Sequence, residues 1–387
     1  MTRSLICLAA FFSLAAVTGA QIGKTVSVAA GTPEDKALAD IYAAPDGPEK
    51  IALLDKFLAD FGSNNDMALL GDQLYEQTAL TQKNYAKVYE YGDKVLALDP
   101  DNLPAAVGMV HAADEQHDTK KLFDAGEKVA AIEARYKAAP PPEGVPPDEW
   151  NRTKDANLGK SMADINYVEY ALIDAAFKTA DAAARAALME RYVAAFPESA
   201  YTQSVKEQIP IAYQAAGNNA KMMESIQAIL KADPNNVAML LLLADYWSGA
   251  GKELDQAEAD AKKALDLLSK APKPPAMTDD QWKQQVDLQQ GLAYSSLGQI
   301  YVIRGRNPQA VDVFQKAKPL LKSDNVSYAR NLYRLGFTLA KMKKIPEART
   351  ALTEAVSLNT PWKGPAQETL DKIGGAAPRR AAAKKSS

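Results

Sequence analysis

Residues 84–102, NYAKVYEYGDKVLALDPDN, recur at 218–236 as NNAKMMESIQAILKADPNN, without a gap and 134 positions further on. A chain that repeats a block of its own sequence folds as a series of similar units, each burying a face against the next. Both copies carry apolar residues at helical spacing: Val88, Val95 and Leu98 in one, Met222, Ile226, Ile229 and Leu230 in the other. Both stop at Asp-Pro. Proline disfavours helix in the residue before it and cannot continue the hydrogen-bond ladder, so Pro100 and Pro234 mark helix ends.

A second pair recurs at nearly the same distance. Lys137 to Trp150, KAAPPPEGVPPDEW, and Lys270 to Trp282, KAPKPPAMTDDQW, start 133 positions apart. Each is a proline-rich joint leading into an acidic helix start, with Asp148 and Asp279 placed to favour a helix N-terminus. Two unrelated features at one spacing point to duplication of a block of several helical hairpins. Frequent alanine, and few Asn-Gly or Asp-Gly turns, favour helix over sheet.

A finer period appears near the C-terminus. Tyr294, Leu297, Gly298, Tyr301, Ala310, Phe314 and Ala317 are echoed by Leu332, Leu335, Gly336, Leu339, Ala348, Leu352 and Ala355, each 38 residues later. This pattern resembles the tetratricopeptide repeat family. The resemblance implies an all-α fold, an α-solenoid of about seven to eight stacked helical hairpins wound as a right-handed superhelix. Gly298 and Ala310 then let the two helices of a hairpin approach closely, and Phe314 and Tyr301 fill the gaps. Weaker copies fall at about Asp35 to Asn64, 66–100, 101–137, 148–197, 199–234 and 236–269, the strong ones at 289–323 and 326–360. Three features depart from the pattern: Pro210 inside a first helix, Glu76 in place of the usual small residue, and long helices after the proline joints.

The ends read differently. Arg3, the apolar stretch Leu5 to Val17 and the small residues Thr18-Gly19-Ala20 form a secretory signal, residues 1–20, with the mature chain starting near Gln21. No later run of about 18 apolar residues follows, so no integral membrane span is expected after cleavage. The only cysteine, Cys7, leaves with the signal, and the mature chain has no disulfide, thiol nucleophile or thiolate metal site. Abundant alanine and this lack of thiols suit a bacterial protein that is periplasmic or secreted. Residues 21–34 read as an extended linker, 35–374 as the repeat array with a capping helix at Gly364 to Ile373, and 375–387 as a disordered basic tail. The formal charge is −3, and without Arg3 and the tail's Arg379, Arg380, Lys384 and Lys385 residues 21–378 carry −8. A body this acidic lacks the basic face that nucleic-acid binding needs.

No residues assemble into recognisable catalytic chemistry, and no cofactor or metal is expected. His111 and His117 are the only histidines, and their spacing of six puts them on roughly opposite helix faces, as surface residues rather than ligands. Gly249-Ala250-Gly251-Lys252 lacks the Ser or Thr, the earlier glycine and the strand of a phosphate loop, and reads as a turn between helices. Arg330, Tyr333, Arg334, Phe337 and Lys341 share one face of the first helix in the last strong hairpin. In the family such faces line the concave partner-binding surface. Arg330 and Arg334 resemble the basic pair with which some members hold a terminal carboxylate, although Ser295 and Gln299 stand where the Lys and Asn partners would be. The expected site is therefore Arg330, Tyr333, Arg334, Phe337 and Gln299, with Arg334 exposed. The expected function is a non-catalytic protein–protein scaffold or adaptor. A small-ligand receptor and a cell-envelope enzyme wrapping a polymer are the alternatives.

Overall fold

The computed structural model describes residues 22–374. The signal at 1–20 and the tail at 375–387 lie outside the described residues. Among the described residues the chain is all-α, with 17 helices and no strand, in two compact units divided between Asn218 and Asn219. No helix among them is long and apolar enough to cross a membrane.

The first unit contains α1 (Pro33–Ala43), α2 (Pro48–Phe61), α3 (Asn65–Thr81), α4 (Tyr85–Leu98), α5 (Leu103–Glu115), α6 (Thr119–Ala138), α7 (Pro147–Lys178), α8 (Ala182–Ala195) and α9 (Thr202–Ala215). Consecutive helices pack as antiparallel hairpins, and the first helices α3, α5 and α7 also touch in turn. Local chemistry sets the boundaries. Asn64, Asn84, Asn102 and Asp118 each accept a backbone N–H at a helix start, a contact of about 1 kcal/mol each. Between the helices of a hairpin the chain reverses through left-handed Lys83 (φ 57°) and His117 (φ 54°). His117 thus lies in a turn. Phe57, Leu54, Tyr75 and Tyr91 form one core cluster, with the two tyrosine rings stacked at 3.7 Å.

Residues 22–32 form no helix or strand, yet they are packed onto the array. Ile22 is fully buried and its carbonyl accepts from Leu103 N–H at 3.1 Å. Lys24 N–H donates to Asp99 Oδ2 at 2.7 Å, and Val26 packs on Leu69, Val95 and Ala105. The Asp-Pro-Asp-Asn stop after α4 therefore also anchors the segment ahead of α1. The joint at 139–146 is tied down as well, since Trp150 Nε1 donates to the Ala139 carbonyl at 2.9 Å. From it α7 runs for 32 residues, with Asp148 and Glu149 in its first turn.

The second unit contains α10 (Asn219–Ala232), α11 (Val237–Ala250), α12 (Leu254–Lys270), α13 (Asp279–Ile303), α14 (Asn307–Leu320), α15 (Asn325–Lys341), α16 (Ile345–Ser357) and α17 (Lys363–Lys372). Three hairpins, α11/α12, α13/α14 and α15/α16, stack in order, and α17 closes on α15 and α16. The first helices α11, α13 and α15 lie side by side. Thr278 and Gln281 form a reciprocal capping box at the start of α13. Gly249 and Ala250 are the last residues of α11, and the turn that follows runs through left-handed Gly251 (φ 67°) to Lys252. The repeat positions meet as their spacing predicts: Phe314 on α14 is fully buried against Gly298 on α13, and Leu352 on α16 against Gly336 on α15.

Candidate partner-binding face

The face made by α11, α13 and α15 gathers most of the residues singled out in the sequence. Arg330 and Arg334 lie one turn apart on α15. Arg330 Nη1 donates to Asp245 Oδ2 at 2.8 Å, and Arg334 Nη1 lies 3.9 Å from Asp245 Oδ1. Asp245 belongs to α11, so this ion pair reaches across α13. The small side chain of Ser295 lies at the crossing, and Arg334 Nη1 donates to its hydroxyl at 3.3 Å and its carbonyl at 3.5 Å. Gln299, the remaining expected residue, is half-buried on α13, and the network runs through Ser295 instead.

Arg334 is not the exposed residue that the sequence suggested. Its side chain is 10% accessible, against 19% for Arg330 and 26% for Asp245. Helix α13 packs on both α11 and α15, and the Arg334 guanidinium lies against Ser295 of α13, on the way to Asp245 of α11. Desolvation, together with the adjacent Arg330 charge and against the pull of Asp245, draws the Arg334 guanidinium down to about 10. It still carries its proton at neutral pH. Two guanidiniums therefore share one carboxylate, which leaves one excess positive charge in a partly dry setting. The pairing is incomplete: Asp245 Oδ1 and Arg330 Nε are buried and make no hydrogen bond.

An apolar shelf adjoins this charge. Tyr333 stacks on Trp362 at 5.5 Å and lies 6.2 Å from Phe337. Phe337 keeps 39% of its surface, and Lys341 Nζ sits 5.7 Å from its ring. Asp245 and Trp362 are the residues that the sequence did not point to. Repeat register would have found Asp245, because it follows Ala244 as Gln299 follows Gly298 and Phe337 follows Gly336.

His111 departs from the surface role expected of it. It is half-buried on α5, and its ring stacks on Tyr167 of α7 at 4.3 Å, while the Tyr167 hydroxyl donates to Asp114 at 2.7 Å. Among the described residues no three His, Cys, Asp or Glu side chains gather as a metal site.

No family model matches the chain, and no curated protein is similar to it at a significant level. Among solved structures it is similar to yeast Tom70, at 12% identity and a TM-score of 0.40, over 90% of this chain and 66% of that one. It is also similar to the APC/C hetero-tetramer Cut9–Hcn1 (16%, 0.42, over 88% and 64% of the two chains) and to the TPR domain of P58(IPK) (11%, 0.30, over 88% and 97%). The chain thus spans slightly under two thirds of the length of the first two. Likenesses this distant leave the fold to rest on the chain's own packing. By that packing, with Gly298 under Phe314 and Gly336 under Leu352, this is an all-α protein of tetratricopeptide-like helical hairpins.

Proposed function

We propose that the chain is a non-catalytic adaptor, exported to the bacterial periplasm or envelope, whose α11–α13–α15 face holds an acidic or C-terminal segment of a partner protein. The observation that carries this reading is the excess guanidinium charge at Arg330 and Arg334 beside the open ring of Phe337. A desolvated cation with unused donors gains more from an incoming carboxylate than a solvated one does. An aromatic shelf next to it supplies the apolar contact of a binding hot spot. Export rests on the signal pattern of residues 3–20.

Asp245 competes with the partner for the arginines, and this gives the reading a distinctive test. Asp245→Ala is expected to lower unfolding free energy by up to about 3 kcal/mol, the lower end for a buried pair, because it strands two largely desolvated cations. The same change is expected to tighten binding of peptides ending in an acidic residue and a free carboxylate. Denaturant titration and fluorescence anisotropy with such peptides, free and amidated at the C-terminus, measure the two effects. Weaker or unchanged peptide binding in a folded Asp245→Ala protein would show that the arginines serve only the fold.

A further inference from the structure

In the first unit the central packing pair is inverted. Gly298 meets Phe314, and Gly336 meets Leu352, sixteen positions on in both cases. At the same spacing across α3 and α4 stand Glu76 and Gly92, with the bulk on the first helix and the glycine on the second. Gly108 on α5 yields space on a further side: a Cβ there would lie 2.6 Å from Glu76 Oε1, and one at Gly92 would lie 3.1 Å from it. Glu76 shares the space beside Gly92 with Met109 of α5, and it brings a carboxyl into a place that the other hairpins fill with apolar groups. Leucine or methionine would occupy the same space with no polar group to bury.

Glu76 is only 3% exposed, and its Oε1 has no hydrogen-bond partner. Burial, with a contribution from Asp93 on α4, pushes its carboxyl up to about 9. Packing alone gives no reason to hold an unsatisfied acid here. Glu76 also forms part of the wall of a cavity of about 210 Å³ between α3, α5 and α7, together with Gln73, Leu80, Val107, His111 and Asp164. No lysine or arginine lines it. The charged and titratable groups facing Glu76 are Asp93 on α4 and, in the same wall, His111 on α5 and Asp164 on α7, while Asp72, one turn earlier on α3, feels Lys94 and Glu90 of α4. Burial also raises Asp72, to about 6.

We infer that this cavity is a binding site for a primary ammonium group on an unbranched aliphatic chain, with Glu76 receiving the ammonium and Asp164 standing at the rim. The methylene stem lies along Leu80 and Val107. On binding, the neutral Glu76 carboxyl gives its proton to solvent and becomes the carboxylate partner of the ammonium. The ion pair forms inside, and one proton leaves. The inference stands on the first unit alone and is independent of the reading of the α15 face.

Two sources carry this chemistry, a free diamine and a lysine side chain of a bound polypeptide. Calorimetric titration near neutral pH, with cadaverine and separately with an acetylated and amidated Ala-Lys-Ala peptide, tells them apart. Repeating it in buffers of different ionisation heat counts protons. Saturable binding of either probe with release of close to one proton supports the site, and the probe that binds names the source. Glu76→Gln is expected to remove the proton release and weaken binding roughly tenfold or more. The rim variant Asp164→Asn is expected to weaken binding several-fold while leaving thermal unfolding unchanged, which covers the case in which Glu76→Gln fails to fold. Binding of neither probe to the folded protein, binding without proton release, or binding indifferent to both substitutions would overturn the assignment.

Discussion

Replacing Gly298 with leucine is expected to lower the stability of the second unit by about 3 kcal/mol. A Cβ at Gly298 would already come closer to the Phe314 ring edge than van der Waals contact allows, and Phe314 is fully buried with Ala310, Val311, Leu335, Leu339 and Ala348 around it. Close-packed interiors leave little room for such a ring to move, so the strain is expected to reach the α13/α14 and α14/α15 contacts. Combining the change with Phe314→Ala is expected to return part of the loss, because the new side chain then occupies the vacated space. Denaturant midpoints for the single and double variants measure this. A Gly298→Leu protein as stable as the parent, or a double variant no better than the sum of its parts, would mean that the helices do not approach as closely as described.

Stability is also expected to fall as pH rises, and Glu76 is the chief cause. Its folded carboxyl holds a proton up to about 9, whereas the ordinary value near 4.5 applies to the unfolded chain. Between those values the folded state carries one more proton than the unfolded state, so each rise in pH favours unfolding. Asp72, raised from 3.8 to about 6, acts with the same sign at the lower end of that range. Each full pH unit within the window amounts to at most about 1.4 kcal/mol for one group, so from about pH 5 to about pH 8 the loss is on the order of 2–4 kcal/mol. Glu76→Gln keeps the shape, cannot ionise, and is expected to flatten the profile and raise the melting temperature at the alkaline end. Thermal unfolding of both proteins across this range decides it. A parent protein more stable at about pH 8 than at about pH 5 would place a charged Glu76 in the fold, with a partner that has not been identified.

The architecture was readable because helical repeats write their packing into spacing. Gly298, Ala310 and Phe314 recur 38 positions later as Gly336, Ala348 and Leu352, and both sets pack as that register requires. Asp148 and Asp279 likewise lie in the first turns of the long helices after the proline joints. What spacing could not carry is contact between positions far apart in the chain. Asp245 meets Arg330 across 85 residues, and only the packing of α13 between α11 and α15 turns Arg334 from a surface residue into a largely buried one. His111 is half-buried for the same reason, because Tyr167 arrives from another helix. Ile22 gave no periodic signal, since a segment outside any helix docks by backbone contacts and one buried side chain. Glu76 was visible as a departure from the repeat pattern. The glycines at 92 and 108 that make room for it explain the departure only once α3, α4 and α5 are placed together.

The adaptor reading turns on what touches the α15 face in the living cell. A photo-crosslinking amino acid in place of Phe337, whose side chain is already open to solvent, reports that contact without disturbing the buried arginines. Irradiation of intact cells followed by mass spectrometry is expected to give a discrete protein adduct, crosslinked through an acidic or C-terminal peptide and carried by a chain beginning near Gln21. Adding Arg330→Gln is expected to remove most of that adduct. An α15 face that yields no protein adduct in a folded and exported chain, or an adduct equally strong with Arg330→Gln, would contradict the account.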